Sequence, residues 1–292
     1  MKILNFGSVN IDNCYQVREF VRAGETISAL EVTRHAGGKG FNQSVALARA
    51  GAQVCHAGCI GEDGIFLREM LRTEGVDVSL MNVTGTPTGN AVIQVNSHGD
   101  NCIILYSGAN GCVTEAYADS IFAHFGPEDV LLIQNEISSL EYIIHKAVEK
   151  EMRIAFNPSP MNGGISREML KAASWLFVNQ VEAAEICGTE GREACLKALA
   201  EMFPHTAVIM TLGGDGVVYR DENSLLSHGI YKVSTLDTTG AGDTFTGFFL
   251  ASVLAGHSAE YALETASKAA AISVTRPGAA ESIPTMKEVQ VF

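Results

Sequence analysis

The chain has 292 residues, 47% of them hydrophobic and 18% charged, enough for a large core in one domain or in a domain with an appendage. Its net charge of −13, with no basic stripe or block, argues against nucleic-acid binding, which needs Lys and Arg clustered against the phosphate backbone. The seven cysteines form no Cys-x-x-Cys pair and no zinc-like spacing with His, and read as reduced, mostly buried thiols of a cytoplasmic protein.

The opening MKILNFGSVNID lacks the long apolar run of a signal peptide and reads as a strand over residues 3–9. A helix is expected over 42–50, a strand over 54–59 and an amphipathic helix over 63–74. A helix over 114–125, a buried strand over 130–134 and a helix over 140–151 follow, then strands over 154–157 and 176–178. The last third gives a helix over 193–203, a strand over 207–211 and two long helices over 244–254 and 259–272. Repeated β-then-α order predicts an α/β fold with a mostly parallel sheet covered by helices, which binds ligands at the carboxyl ends of its strands. No stretch approaches the ~20 apolar residues of a membrane span.

Two segments interrupt the alternation. Residues 12–36 carry short β-like runs, and 89–110 show two strands around the turn SHGDN, a hairpin signal. Together they predict a small β appendage, a candidate lid. The alternative is that they are edge strands of the main sheet.

Three stretches carry chemistry. LDTTGAGDTF places a loop of small residues between a β-like run, YKVSTL, and an apolar helix. Inward-turned amides and the positive end of the helix make an anion cradle of Gly240, Ala241 and Gly242. Such a cradle lets an acidic protein hold an anionic ligand. Asp243 stands at its rim, where a carboxylate is repelled by phosphate unless it has a task. Taking the proton of a hydroxyl that attacks the phosphoryl group is that task. A helix cap worth ~1 kcal/mol is the competing reading.

In HAGGKGFNQSVALARAG, Gly37, Gly38 and Gly40 allow close backbone approach to a ligand, and Lys39 and Asn42 offer donors at a helix start. The Walker spacing is absent and no strand-borne Gly-x-Gly-x-x-Gly occurs. The plain alternative is a glycine-rich turn feeding a helix. In GSVNID, Asn10 and Asp12 lie just past the first strand, and a carboxylate that accepts from two neighbouring hydroxyls suits a polyol. An Asx-type turn is the alternative.

Read together, these stretches resemble the ribokinase family, the PfkB-type carbohydrate kinases. GGKGFNQSVALARAG is similar to its first pattern and DTTGAGDTFTGFF to its second. PTGNAVIQVNSHGDNCIILYSGAN, NPSP, FVNQVEAAEICG, IMTLGGDGVVY and AISVTRPGAAESIP follow in the family's order, so the likeness runs from Gly7 to about Pro284. The resemblance implies one domain over 1–292, a three-layer α/β/α sandwich with a mainly parallel central sheet. It also implies a lid from about 12–36 and 88–110 that often builds a homodimer. The implied activity is transfer of the γ-phosphoryl of ATP to a primary hydroxyl of a small sugar such as ribose.

By the same resemblance Asn10 and Asp12 hold sugar hydroxyls, Gly38, Lys39 and Asn42 line the other side, and Glu136 of LLIQNEIS reaches the same pocket. Asp243 is then the catalytic base and Gly240, Ala241 and Gly242 the anion hole. NQVE matches the family's Asn-x-x-Glu motif, so that Asn179 and Glu182 organise the Mg²⁺ of ATP through water; the bare residues read as the polar start of a short helix. Thr211, Gly213 and Gly216 of TLGGDG, with Gly242, contact the nucleotide; without the resemblance they read as a hairpin turn. A K⁺ ion falls to Asp237 and oxygens near Thr239, Ser273, Arg276, Gly278 and Ser282, the alternative being that Asp237 ties its loop to RPGAAES. Ala23 before GET, Phe41 in GFNQ and Asn135 in QNE depart from the ribose-specific pattern. A nucleoside or phosphosugar acceptor, or a sugar-binding sensor without catalysis, stays open at this point.

Overall fold

A computed structural model describes residues 1–161 and 163–292. In chain order its strands are β1 (Ile3–Phe6), β2 (Asn10–Gln16), β3 (Glu31–Gly37), β4 (Val54–Ala57), β5 (Cys59–Gly61), β6 (Asn82–Thr84) and β7 (Gly89–Val95). After them come β8 (Asn101–Tyr106), β9 (Val130–Gln134), β10 (Arg153–Asn157), β11 (Trp175–Asn179), β12 (Ala207–Thr211), β13 (Val217–Arg220) and β14 (Leu225–His228). The α-helices are α1 (Lys39–Arg49), α2 (Ile65–Thr73), α3 (Glu115–Phe122), α4 (Leu140–Glu149), α5 (Arg167–Lys171), α6 (Gln180–Cys187), α7 (Arg192–Met202), α8 (Ala241–Leu254), α9 (Ala259–Ser273) and α10 (Met286–Val291).

Eight strands form the main sheet in the order β14-β13-β12-β11-β10-β9-β1-β4. The six from β12 to β4 are parallel, and β13 and β14 close one edge antiparallel. Successive side chains of a strand point to opposite faces. Leu131, Ile133, Ile154, Phe156, Leu176, Val178, Val208 and Met210 therefore join the core under α3, α4 and α7. Leu132, Ala155, Phe177 and Ile209 join the core under α1, α8 and α9. Both faces are covered, which is why β9 reads as the unbroken apolar run VLLI. The order reverses at β1, with β4 on one side and β9 on the other, and ligands of such sheets collect at the strand ends beside that reversal.

The segments that break the alternation build a separate four-stranded sheet, β3-β2-β7-β8, in which β2 and β7 are parallel. They are thus not edge strands of the main sheet. The β7–β8 hairpin turns at Asn96–Asp100, where Gly99 takes a positive φ of 86°. Among the described residues no helix is long and apolar enough to cross a membrane.

Several boundaries differ from expectation. The helix predicted over 244–254 begins at Ala241, which puts Asp243 inside its first turn. YKVSTL forms no strand: it lies beyond β14, Tyr231, Lys232, Val233 and Thr235 line a cavity, and Leu236 N–H donates to the Val274 carbonyl at 2.7 Å. The predicted strand over 54–59 splits into β4 and β5, in different sheets. All seven cysteines are free, but only Cys55, Cys59 and Cys195 are buried; Cys102 is exposed on β8.

Candidate active site

Helices α1 and α8 run side by side with their first turns at the same end. Asp243 there faces Asn42 and Gln43, and one turn on Gly247 faces Ala46 and Leu47. The Asp243 carboxylate is buried at 6% exposure. It accepts from Asn42 Nδ2 at 3.0 Å and from Gln43 Nε2 at 2.9 Å, and Lys39 Nζ lies 4.0 Å away. The helix-cap reading fails: the N-cap is Gly240, in the left-handed region at φ 73°, and no side chain caps this helix. Asn42 Oδ1 is buried with no partner among the described residues, an acceptor left over at the same spot.

Asp243 itself lines neither of two nearby cavities, but its neighbour Gly242 borders one, and Lys39, 4.0 Å from its carboxylate, is bonded to Glu136 of the other. Ala241, Gly242 and Thr238 border a cavity of about 680 Å³ that Thr211, Gly213 and Gly216 also line. Gly216 takes φ 94° and a Cβ there would collide with the His228 carbonyl, so only glycine fits. In the proposed cradle the Gly240 and Gly242 N–H groups have no acceptor among the described residues, whereas Ala241 N–H donates to the Thr238 carbonyl at 3.3 Å. Two of the three amides are open to an anion.

The second cavity, of about 340 Å³, is lined by Asn10, Glu136, Asn110, Tyr106 and Pro160. Glu136 accepts from Lys39 N–H at 2.9 Å and from the Ser8 hydroxyl, which joins the ends of β9 and β1 to the start of α1. Asn10 Oδ1 accepts from Asn110 Nδ2 at 2.7 Å. Asp12 stands opposite His35 on β3, and a Cβ at Gly37 would overlap its carboxylate. Burial and the nearby Glu136 carboxylate push the Asp12 carboxyl up to about 6, with His35 opposing. Lys39 loses solvation by burial, but Asp243, Glu136 and Glu182 more than offset that and raise it above its ordinary value. Asn10, Asp12, Gly38, Lys39, Asn42 and Glu136 thus gather around the Asp243 end of α1.

Asn179 and Glu182 form a capping box on α6: Glu182 N–H donates to Asn179 Oδ1 and Asn179 N–H to Glu182 Oε2, both at 2.9 Å. The helix-start reading is therefore correct as structure. Asn179 pairs in register with Thr211, so β11 and β12 deliver both to the same sheet edge.

The loop before α8 is held from behind. Asp237 Oδ1 accepts from Thr239 N–H at 2.9 Å and Thr239 Oγ1 at 2.7 Å, and Oδ2 accepts from Gly278 N–H at 2.9 Å. Burial alone would lift this carboxyl; the donors from Thr239 and Gly278 win and hold it below the usual range. The tie between Asp237 and RPGAAES is thus present. The Ser282 hydroxyl donates to the Ala279 carbonyl at 2.7 Å, the Ser273 hydroxyl to the Ala270 carbonyl at 2.9 Å, and the Arg276 side chain turns away to Glu288.

Sequence reading missed Ser8, Gln43, Asn110, Gln134 and Asn157. All five lie inside the stretches singled out above, yet a hydroxyl or an amide carries no signal of its own beyond being polar in an apolar setting. Of the departures, Phe41 is 1% exposed in the core, so it does not touch the pocket; Asn135 donates to the Pro160 carbonyl at 2.6 Å and fixes the pocket wall.

Residues 1–286 match the family described as pfkB family carbohydrate kinase. A ribokinase of Haemophilus influenzae is 37% identical, covering 98% of this chain and 96% of its own. A ribokinase of Cryptococcus neoformans var. grubii, solved with ADP, superimposes with a TM-score of 0.85 at 35% identity over 99% of both chains. One from Arabidopsis thaliana, solved with ribose and ATP, does so at 0.89 and 30% identity over 99% of this chain and 97% of that one. The fold and the sequence thus have full-length relatives, and the chain belongs to the pfkB family of carbohydrate kinases, phosphotransferases with an alcohol acceptor.

Proposed function

We propose that this protein is an ATP-dependent kinase of ribose or a related pentose, phosphorylating its primary hydroxyl, with one domain over 1–292. The observation that carries the reading is the buried Asp243 carboxylate, which accepts from Asn42 and Gln43 and lies 4.0 Å from Lys39, directly after Gly242 at the border of the glycine-lined cavity. The full-length ribokinase relatives support the acceptor.

Asp243 takes the proton of the attacking hydroxyl. Lys39 holds the field positive beside it, and Asn42 Oδ1 and Asp12 accept from sugar hydroxyls while Asn10 and Glu136 bound the far end. The free N–H groups of Gly240 and Gly242 face charge that grows on the transferring phosphoryl group. Thr211, Gly213 and Gly216 border the nucleotide. Asn179 and Glu182 offer hard oxygens that suit Mg²⁺, and because both are engaged in the capping box they fit contact through water. When bound with ATP, Mg²⁺ neutralises phosphate charge.

Three finer proposals accompany this one. The four-stranded sheet acts as a lid that excludes water. Its outer strand, with Ile103, Ile104, Leu105 and Tyr106 at least half exposed, pairs with a second copy to make a homodimer. K⁺ binds behind the cradle at Asp237 and the carbonyls of the 273–282 segment. Seven free thiols support a reducing, cytoplasmic setting.

The test is ADP release across a panel of pentoses, hexoses, nucleosides and phosphosugars, with wild type and Asp243→Asn. Ribose-dependent release that falls about 10²–10⁴-fold in the variant is expected. Unchanged turnover in a folded Asp243→Asn protein defeats the base assignment, and silence with every acceptor defeats the kinase.

A further inference from the structure

Behind Asp243 lies a run of buried amides that the reaction as described leaves without a task. Gln43, Asn5 and Ser44 are fully buried and Gln134 nearly so, and they meet between α1, which carries Gln43 and Ser44, and the main sheet, which carries Asn5 on β1 and Gln134 on β9. The direction of each amide hydrogen bond follows from the Asp243 end of the run. The Asp243 carboxylate only accepts, so Gln43 presents Nε2 to it at 2.9 Å and gives its second hydrogen to Asn157 Oδ1 at 3.2 Å. Gln43 Oε1 then accepts from Gln134 Nε2 at 2.7 Å, whose other hydrogen goes to Asn5 Oδ1 at 3.0 Å. Asn5 Nδ2 donates to the Gly40 carbonyl and to Ser44 Oγ, both at 2.7 Å. Ser44 Oγ is in turn hydrogen-bonded to His56 Nδ1 at 2.8 Å. The His56 ring is fully buried, which keeps it neutral.

Both hydrogens of all three amide nitrogens are committed, so none of these groups can flip without breaking several bonds in a place that water does not reach. We propose that Gln43 is a positioning residue: the amide chain locks its Nε2 as a donor to Asp243 and thereby sets the rotation of the carboxylate toward the acceptor hydroxyl. Gln43 touches neither cavity and holds no substrate. Its effect is on the angle and distance of proton transfer, not on the affinity for sugar or ATP. The inference rests on Asp243 being the base. A purely structural alternative is that the amides only fasten α1 to the sheet; it lowers stability when disturbed but leaves turnover of the folded protein alone.

The experiment is steady-state kinetics of Gln43→Met, which keeps the length and removes every hydrogen bond, and of Gln43→Glu, which keeps the shape and the acceptor for Gln134 but removes the donors. Asp243→Asn is run beside them, and circular dichroism confirms folding. Expected is a kcat about 10²-fold below wild type in each Gln43 variant that folds, the size of loss a misplaced reacting group brings, with KM for sugar and for ATP within about twofold. A folded Gln43 variant with wild-type kcat, or one whose loss lies in KM, overturns the proposal while an inactive Asp243→Asn leaves the base assignment standing. Turnover retained in Asp243→Asn instead removes the base and this inference with it.

Discussion

Gly247 of α8 lies flush against Ala46 of α1: a Cβ at position 247 would overlap the Ala46 methyl and come within 2.9 Å of Leu47 N. One turn earlier the same contact becomes Asp243 against Asn42 and Gln43. The close approach of the two helices thus sets the position of the carboxylate. Gly247→Leu forces them apart, and overpacking of this kind costs about 1–3 kcal/mol. A shift of ~1 Å in Asp243 costs about 10²-fold in kcat. Thermal unfolding and kinetics together check this; a Gly247→Leu enzyme of lowered Tm but wild-type kcat would show that the helix contact does not set the site.

Acceptor binding is expected to weaken in acid. Asp12 titrates near 6, raised first by burial and then by Glu136, with His35 opposing and Glu281 adding to the rise. Below that pH the carboxyl is neutral and loses an acceptor position; above it the carboxylate accepts from two hydroxyls. KM for the sugar should fall as pH climbs through 6 and level off above it, and KM for ATP should not follow. Asp12→Asn should remove the step and raise KM at neutral pH by about tenfold or more, in line with the ~1.5–3 kcal/mol of a hydrogen bond to a charged group. A wild-type KM profile that is flat from pH 5 to about 7.5 contradicts the assignment.

The outer strand of the small sheet is the proposed contact between copies. Ile104 and Leu105 are each 63% exposed there. Replacing both by Glu removes the apolar surface and places charge on an edge strand, so analytical ultracentrifugation should show a dimer for wild type and a monomer for the variant. A wild-type monomer at micromolar concentration ends the dimer proposal.

Removing the carboxylate that braces the cradle should separate structure from cation. Asp237→Ala loses the bonds to Thr239 and Gly278. With K⁺ replaced by tetramethylammonium, wild-type kcat is expected to drop several-fold and to return on adding K⁺, and Asp237→Ala should lose that response. Equal activity in the two salts rules out a K⁺ requirement.

Much of the architecture is legible in the sequence. The unbroken apolar run at 130–134 announced a strand buried on both faces, and β9 occupies those residues. The SHGDN turn announced the β7–β8 hairpin, whose chirality needs the glycine it contains. YKVSTL misled because its alternation is that of a strand, but it follows the edge strand β14 without joining the sheet, and Tyr231, Lys232, Val233 and Thr235 line the larger cavity instead. Asp243 was legible as a carboxylate beside a small-residue loop, though not its place inside the helix: where α8 starts depends on the left-handed Gly240.

By itself, then, the order of residues determined the local facts: the periodicity of each element, the glycines at tight turns, and the presence of a carboxylate, a lysine and a glycine loop in motifs far apart in the chain. Only the tertiary structure decided that Asn42 and Gln43 meet a residue 200 positions away, with Gln43 Nε2 donating to Asp243 at 2.9 Å. The physical reason is that an amide hydrogen bond depends on where two helices and a sheet edge come to rest, and that is set by packing across the whole core, which no short window of sequence contains.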